Sequence, residues 1–296
     1  MFLQKEIMSA TRKSLQIPVN KVNSLIRESN AILIGAGSGL SAAAGLLYTD
    51  FETFRQWFPG YYEKYGLRYL YEASFYNFPT PEEYYAFWAK HILTVRFDYP
   101  AGNPYKHLYN LVEDKHYFVL TTNVDGQFVK AGFNSQRLCT PQGDFGFFQC
   151  SAPCSNELYP NKVLLEKMVK GIDHSSMKIQ SQDIPRCPRC GCLLKPNIRE
   201  DSHFVEKPWM EKMLSLEAFI NQHIKDSLLL LEIGAGYNTP SIIRFPFEEI
   251  ALTNKNATLI RINQDNPGVD LPVKSSQFIS IHMDAGKFLK ELVAFS

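Results

Sequence analysis

The sequence predicts an α/β fold built on a doubly wound, mostly parallel sheet, with a helical insert and a small inserted domain. Three observations support this prediction. Four short apolar runs each end in small or polar residues, an aromatic-rich stretch follows the first run, and a stretch rich in cysteine, proline and glycine comes later. Buried parallel strands are continuous apolar runs whose carboxyl ends gather a ligand at one sheet edge.

Size and composition fit a globular protein that buries a substantial core. The chain has 296 residues, of which 45% are hydrophobic and 21% charged, and no apolar stretch approaches the ~20 residues that a membrane helix needs. Its net charge of +1 argues against binding to nucleic-acid phosphates. The polar, mixed-charge N-terminus lacks the apolar core of a secretory signal. We therefore expect a cytoplasmic protein with neither a membrane nor a nucleic-acid partner.

The secondary-structure elements follow from apolar spacing. Residues 1–30 show helical spacing, and the positions predicted to face inward are Ile17, Val22, Leu25 and Ile26. The four apolar runs predict strands at 31–34, 117–120, 228–233 and 258–262.

The remaining segments set the predicted domain organisation. Residues 48–110 are dense in aromatic side chains, which favours helices packed on one another over a dedicated binding face. Residues 144–210 carry most of the cysteines and predict a small domain. The main domain then comprises residues 1–143 and 211–296.

A glycine turn follows the first strand. Gly35 and Gly37, on either side of Ala36, permit a tight turn and a close approach of backbone amides to a pyrophosphate, with Ser41 at the start of the next helix. Leu40 occupies the place of the third glycine in the usual dinucleotide fingerprint, and no strand ending in an acid follows about 20 residues later. The pattern thus argues against an ordinary nicotinamide dehydrogenase.

Two polar stretches follow the second strand. Thr122, Asn123 and Asp125 either cap a strand-to-helix turn or contact a ligand. Gln142, before Gly143, is either a turn residue or part of the same site. If it is in the site, its neutral amide cannot accept a proton at physiological pH.

The cysteines predict a structural zinc site. Cys150 and Cys154 are separated by three residues, and Cys187 and Cys190 form a C-x-x-C pair beside Gly191. Four thiolates close a tetrahedral shell around Zn²⁺ and leave no open position for catalysis. Cys192 is an alternative to Cys190, and we expect Cys139 to be a buried apolar residue.

These motifs together resemble those of the sirtuins. The segment 35–45 is similar to the family's Gly-Ala-Gly turn and small-residue helix start, and Thr122–Asp125 is similar to its Gln-Asn-Ile-Asp. The resemblance implies a Rossmann-like NAD-binding domain in which Asn123 orders the ribose or a water and Asp125 holds the carboxamide of NAD. Gln142 stands where the family places its catalytic histidine.

The later strand ends carry the resemblance further. Gly234-Ala235-Gly236 is similar to the family's Gly-Thr-Ser turn. Without the threonine hydroxyl, backbone amides and either Tyr237 or Asn238 would contact the cofactor. Asn263 is similar to the residue at the adenosine ribose, and Asp284 to the one near adenine. The family's small domain also carries four cysteines in this order.

The glutamine is typical of class M, the macrodomain-linked sirtuins of microbial pathogens. That resemblance implies a protein ADP-ribosyltransferase acting on a lipoyl-carrying relative of the glycine cleavage H protein, with a macrodomain protein as a further partner. Deacylation, NAD glycohydrolysis and non-catalytic NAD sensing remain alternatives.

Overall fold

The predicted doubly wound sheet is confirmed in the computed structural model, which describes residues 18–295. Six parallel strands lie in the order β3-β2-β1-β7-β8-β9. Their bounds are β1 Ala31–Ala36, β2 Tyr117–Thr121, β3 Leu138–Cys139, β7 Leu228–Ile233, β8 Ala257–Ile262 and β9 Phe278–Ile281. All four predicted strands are present, and two short strands extend the edges. Ile17 lies outside the described residues.

Helices cover both faces of the sheet. Their bounds are α1 18–28, α2 Ser38–Ala43, α3 Phe51–Trp57, α4 Pro59–Tyr65, α5 Leu70–Ser74, α6 Pro81–Ile92, α7 Asn103–Val112, α8 Gln127–Lys130, α9 Lys162–Lys170, α10 Lys207–Gln222, α11 Arg244–Thr253 and α12 Ala285–Ala294. Helices α1, α7 and α12 pack with Ile32 and Ile34 on one face, and α10 and α11 pack with Leu33 on the other. Because side chains alternate along a strand, two-sided burial requires the continuous apolar runs seen in the sequence.

A second core lies outside the main sheet. A three-stranded antiparallel sheet contains β4 Gly143–Cys150, β5 Tyr159–Pro160 and β6 Leu194–Ile198. Its residues share one hydrophobic cluster with the aromatic helices, in which Trp88 packs on Phe145 at a ring distance of 5.9 Å. The aromatic stretch therefore packs mostly within the protein, as expected.

Two further features bear on the organisation of the chain. Helix α10 crosses the predicted boundary at residue 210 and packs against β2 and β3, and the division of the chain at 144–210 stays a prediction. Within residues 18–295, every helix is too short or too polar to cross a lipid bilayer.

Candidate active site

Three adjoining cavities line the carboxyl edge of the main sheet. Their volumes are 390, 470 and 520 Å³, and Ser38 lines all three. The predicted residues that line them are Gly37, Ser41, Thr122, Asn123, Asp125, Gln142, Gly234, Gly236, Asn238, Asn263 and Asp284. The structure thus brings these residues to one cleft, because they follow the ends of neighbouring parallel strands.

The glycines of the first turn have a packing role. A Cβ on Gly37 would lie 2.6 Å from the Gly234 carbonyl oxygen, and one on Gly35 would lie 2.6 Å from Phe247. The amide of Gly37 donates to the Ile233 carbonyl at 3.0 Å. Gly35 and Ala36 lie within β1, behind the cleft. Gly37 is therefore needed where two turns meet backbone to backbone, and Gly35 where the Phe247 side chain packs against β1.

A chain of hydrogen bonds orients Asn123. Its Nδ2 donates to the Gly37 carbonyl at 2.9 Å and to the Tyr105 hydroxyl at 3.1 Å. The Ser41 hydroxyl lies 2.8 Å from the Tyr105 hydroxyl and donates to Asp125 Oδ2 at 2.5 Å. Since the Ser41 hydroxyl donates its one hydrogen bond to the carboxylate, the Tyr105 hydroxyl must be the donor in its hydrogen bond with Ser41. Both amide donors of Asn123 are thereby used, and its Oδ1 is left to accept a hydrogen bond from a ligand.

Asp125 both caps the turn into a helix and lines the cleft, which are the two roles that the sequence allows. Its Oδ1 accepts from the Gln127 amide at 3.0 Å at the start of α8, and the residue also lines the 520 Å³ cavity. It is 3% exposed, and burial raises its pKa against the opposing hydrogen bonds from Ser41 and Gln127. The carboxylate is held in place and is poorly solvated.

Gln142 is fixed by its backbone at the far side of the 470 Å³ cavity. Its carbonyl accepts from the Arg199 amide at 3.0 Å, and the next residue, Gly143, has φ +102° and passes close to the Asn197 carbonyl. Arg199 also lines this cavity and donates to the Pro141 carbonyl at 3.1 Å. Among the described residues that line the three cavities, none is a histidine.

Sequence reasoning missed several residues of the cleft. The aromatic stretch supplies Tyr48, Tyr71, Phe75 and Trp88 to the 470 Å³ cavity, and Tyr105 to the hydrogen-bond chain. These residues belong to a segment whose sequence predicts packing alone. Its aromatic density gave no sign of which rings turn toward the strand ends.

The opposite end of the cleft is ordered by side chains that bond to their own loops. Asn263 donates to the Ala235 carbonyl at 2.8 Å and accepts from two amides of the following loop. Asp284 caps α12 by accepting from the Lys287 amide at 2.9 Å. Both residues line the 390 Å³ cavity, so their bonds shape its wall.

A buried ionic cluster supports these loops from behind. The side chains of Glu232, Arg244, Glu248 and Arg261 are each 0% exposed. Arg261 pairs with Glu232 and with Glu248, at 2.8 and 2.7 Å respectively. Arg244 donates to the carbonyls of Asn266 and Gly268. The two arginines and the two fully buried carboxylates balance in charge, and Arg244 also pairs at 3.2 Å with the partly exposed Asp270 at the edge of the cluster.

The predicted metal ligands come together. The Sγ atoms of Cys150, Cys154, Cys187 and Cys190 all lie within 4.8 Å of one another. Cys192 is outside this set, and Cys139 is buried elsewhere. Four thiols in such a cluster fit a tetrahedral structural zinc site.

The fold and the site define a Rossmann-like protein with a ligand cleft at the sheet edge and a small metal-binding sheet beside it. A profile of the Sir2 family matches residues 37–235, and the chain belongs to this family.

Relatives and solved structures agree with this assignment. A protein ADP-ribosyltransferase of Staphylococcus aureus is 36% identical over 81% of this chain and 76% of its own length. A probable bifunctional ADP-ribose hydrolase/ADP-ribosyltransferase of Fusarium oxysporum f. sp. cubense is 32% identical over 81% of this chain but only 42% of that protein. A Sir2 homolog–NAD complex has a TM-score of 0.60 at 18% identity, over 93% of each chain. A Sir2 protein bound to a propionylated peptide has a TM-score of 0.58 at 18% identity, over 93% of this chain and 97% of that one.

Proposed function

We propose that this protein is an NAD-dependent protein ADP-ribosyltransferase that cleaves the nicotinamide–ribose bond and transfers ADP-ribose to a protein acceptor. The observation that carries the proposal is the glutamine at position 142, which lines the cleft together with Asn123. A glutamine can orient a hydroxyl but cannot take its proton, and losing a general base typically removes ~10²- to 10⁴-fold of rate. The name of the Staphylococcus aureus relative supports the same activity.

Cleavage of the nicotinamide–ribose bond needs no general base and depends on positioning and charge. Cleavage of the nicotinamide bond builds positive charge on the ribose, which a nearby carboxylate stabilises. Asp125 supplies that charge, while Asn123 accepts a hydrogen bond through Oδ1 because its amide protons are engaged elsewhere. An acceptor nucleophile then takes the place of the departing nicotinamide.

The acceptor we propose is a lipoylated carrier protein similar to the glycine cleavage H protein, with a macrodomain protein as a further partner. This finer assignment rests on the resemblance to class M sirtuins. The cytoplasm is the proposed location.

The test is incubation with labelled NAD and the carrier, lipoylated or not. Label on the carrier supports transfer, and dependence on lipoylation supports the acceptor. Free ADP-ribose alone would indicate a glycohydrolase, removal of an acyl group a deacylase, and intact NAD a non-catalytic protein. Asn123→Ala and Gln142→Ala should each lower transfer roughly 10²-fold. Gln182→Ala, at an exposed position that lines none of the three cavities, is the matched control.

A further inference from the structure

A partly buried ion pair connects the two turns that carry Gln142 and Asp125. Arg96 Nε donates to Asp144 Oδ1 at 2.7 Å, and Arg96 Nη2 donates to Asp144 Oδ2 at 3.1 Å. Each of the two side chains is only 15% exposed. Two parallel hydrogen bonds between charged groups fix direction as well as distance. The pair is therefore a rigid link.

The carboxylate end of the pair holds the turn at Gln142. Asp144 lies two residues beyond Gln142, and its Oδ1 also accepts from the Gly146 amide at 2.6 Å. Gly143, between them, has φ +102°, a conformation that other residues rarely adopt. The path of the chain from Gln142 into β4 thus depends on where the Asp144 side chain is held.

The guanidinium end of the pair holds the turn at Asp125. Gly126 has φ +69°, and a Cβ at this position would overlap the guanidinium group of Arg96. The backbone that follows Asp125 therefore packs directly on Arg96. The Phe145 amide donates to the Val124 carbonyl at 3.0 Å, so the same turn is also joined to β4.

The backbone of Arg96 is anchored to α8. Arg96 lies in a π-helical turn, Leu93–Asp98, that continues α6. Directly after this turn, the Tyr99 carbonyl accepts from Nζ of Lys130 in α8 at 2.6 Å. Turns of this type are rare and frequently lie at functional sites.

The pair lies behind the cleft and leaves its charge nearly unchanged. Neither Arg96 nor Asp144 lines any of the three cavities. Burial is the main cause that raises the pKa of Asp125, while Asp144 raises it further and Arg96 lowers it. Because these two charges act in opposite directions, the geometry gives the pair a positioning role and not a catalytic one.

We propose that the Arg96–Asp144 pair is a positioning element that sets the separation of Gln142 and Asp125 in the cleft. The inference rests on the proposed function for the reaction that these two side chains serve. It concerns the breaking of the nicotinamide–ribose bond, and so it applies whether ADP-ribose then passes to a protein or to water.

The kinetic test is nicotinamide release by the full chain with NAD and the lipoylated carrier. Arg96→Lys keeps the positive charge but loses the planar two-pronged contact. A misplacement of about 1 Å costs up to ~10²-fold, so the rate at saturating NAD should fall roughly 10- to 10²-fold while the half-saturating NAD concentration changes less than about twofold. Asp144→Asn, which keeps an oxygen for the Gly146 amide, should give a similar loss. Unchanged rates in both variants would overturn the inference.

Glu83→Gln separates a loss of positioning from a loss of stability. Glu83 pairs with Lys64 at 2.7 Å, its side chain is 5% exposed, and it lines none of the three cavities. This variant should lower the melting temperature, as Arg96→Lys does, and keep the wild-type rate. An equal loss of rate in Glu83→Gln and Arg96→Lys would refute a positioning role.

A double-variant cycle tests the connection to Gln142. The separation of two side chains matters only when both are present, so adding Arg96→Lys to Gln142→Ala should lower the rate by less than about twofold. A full loss on that background would refute the inference. Nicotinamide release that obeys the cycle without label on the carrier would instead count against the proposed transfer alone.

A crystal structure of Arg96→Lys gives a readout that needs no turnover. The distance between the Cα atoms of Gln142 and Asp125 should differ from that of the wild type by about 1 Å, the displacement that the expected loss of rate requires. An unchanged distance would overturn the inference even if the wild type transfers ADP-ribose. A changed distance in a protein that leaves NAD intact would count against the proposed function only.

Discussion

Tyr105→Phe tests whether the buried hydrogen-bond chain orients Asn123. The substitution removes one hydroxyl and keeps the ring, which packs edge-on against Phe128 at 5.0 Å. Asn123 Nδ2 then retains only the Gly37 carbonyl, and Ser41 loses its donor. Tyr105 is fully buried, so water does not replace the missing group.

The expected magnitudes follow from this geometry. Leaving buried polar groups short of a partner costs about 1–3 kcal/mol of unfolding free energy, measured by denaturant titration. When the Asn123 amide rotates freely, Nδ2 can take the position in which Oδ1 should accept a hydrogen bond from the ligand. Losing ~1.4 kcal/mol of transition-state stabilisation at this hydrogen bond lowers the single-turnover transfer rate about tenfold.

Tyr109→Phe, one turn along α7, is the matched control. In the described part of the chain the Tyr109 hydroxyl has no hydrogen bond, and its ring packs on Phe133 in the same way, so this variant should keep both stability and rate. A Tyr105→Phe enzyme that loses stability but transfers within twofold of wild type would show that the chain does not orient Asn123.

Three further predictions concern metal, charge and pH. Cys187→Ser should abolish stoichiometric zinc and lower the melting temperature, since metal binding contributes directly to folding; full zinc occupancy by metal analysis would mean a different ligand set. Burial raises the pKa of Asp125, so its contribution to stability is present below the unfolded pKa near 3.8 and is lost as the pH rises through the folded value. The unfolding free energy of wild type should therefore rise relative to that of Asp125→Asn as the pH falls from 7 to 4, and the variant should consume less NAD; a relative fall over this range would contradict the sign. Arg261→Met should cost about 3–5 kcal/mol because it leaves an unbalanced buried carboxylate. Adding Glu248→Gln removes the unbalanced charge but keeps an amide oxygen to accept from the backbone amides of Asp270 and Leu271, so it should recover much of this loss in the same denaturant titration; a further decrease would refute the charge-balance argument.

Much of the fold could be predicted because its signals are local. The run 228–233 is apolar at every position but Glu232, and it forms a strand buried on both faces. The spacing of Cys187 and Cys190 indicated a metal knuckle, and the structure places their Sγ atoms with those of Cys150 and Cys154. Nearby residues in the sequence do not explain why Glu232 interrupts this apolar run. Its partner Arg261 lies on the neighbouring strand.

The cleft was predictable only in part, because some of its residues come from segments that carry no local signal. Residues at strand ends were found because topology gathers them, whereas Tyr105 and Arg199 reach the site from segments with no motif of their own. The glycines at 35 and 37 were predicted as a ligand turn, but the contacts that require them are with Phe247 and Gly234.

By itself the sequence determined the parallel sheet and the cysteine cluster, because each depends on the spacing and type of nearby residues. The resemblance to sirtuins added the prediction that Gln142 stands in place of a proton acceptor. Tertiary structure alone decided which way the Asn123 amide points and which aromatic rings face the cleft. Those features depend on contacts between segments far apart in the chain, whose side-chain directions are fixed only when the layers pack together.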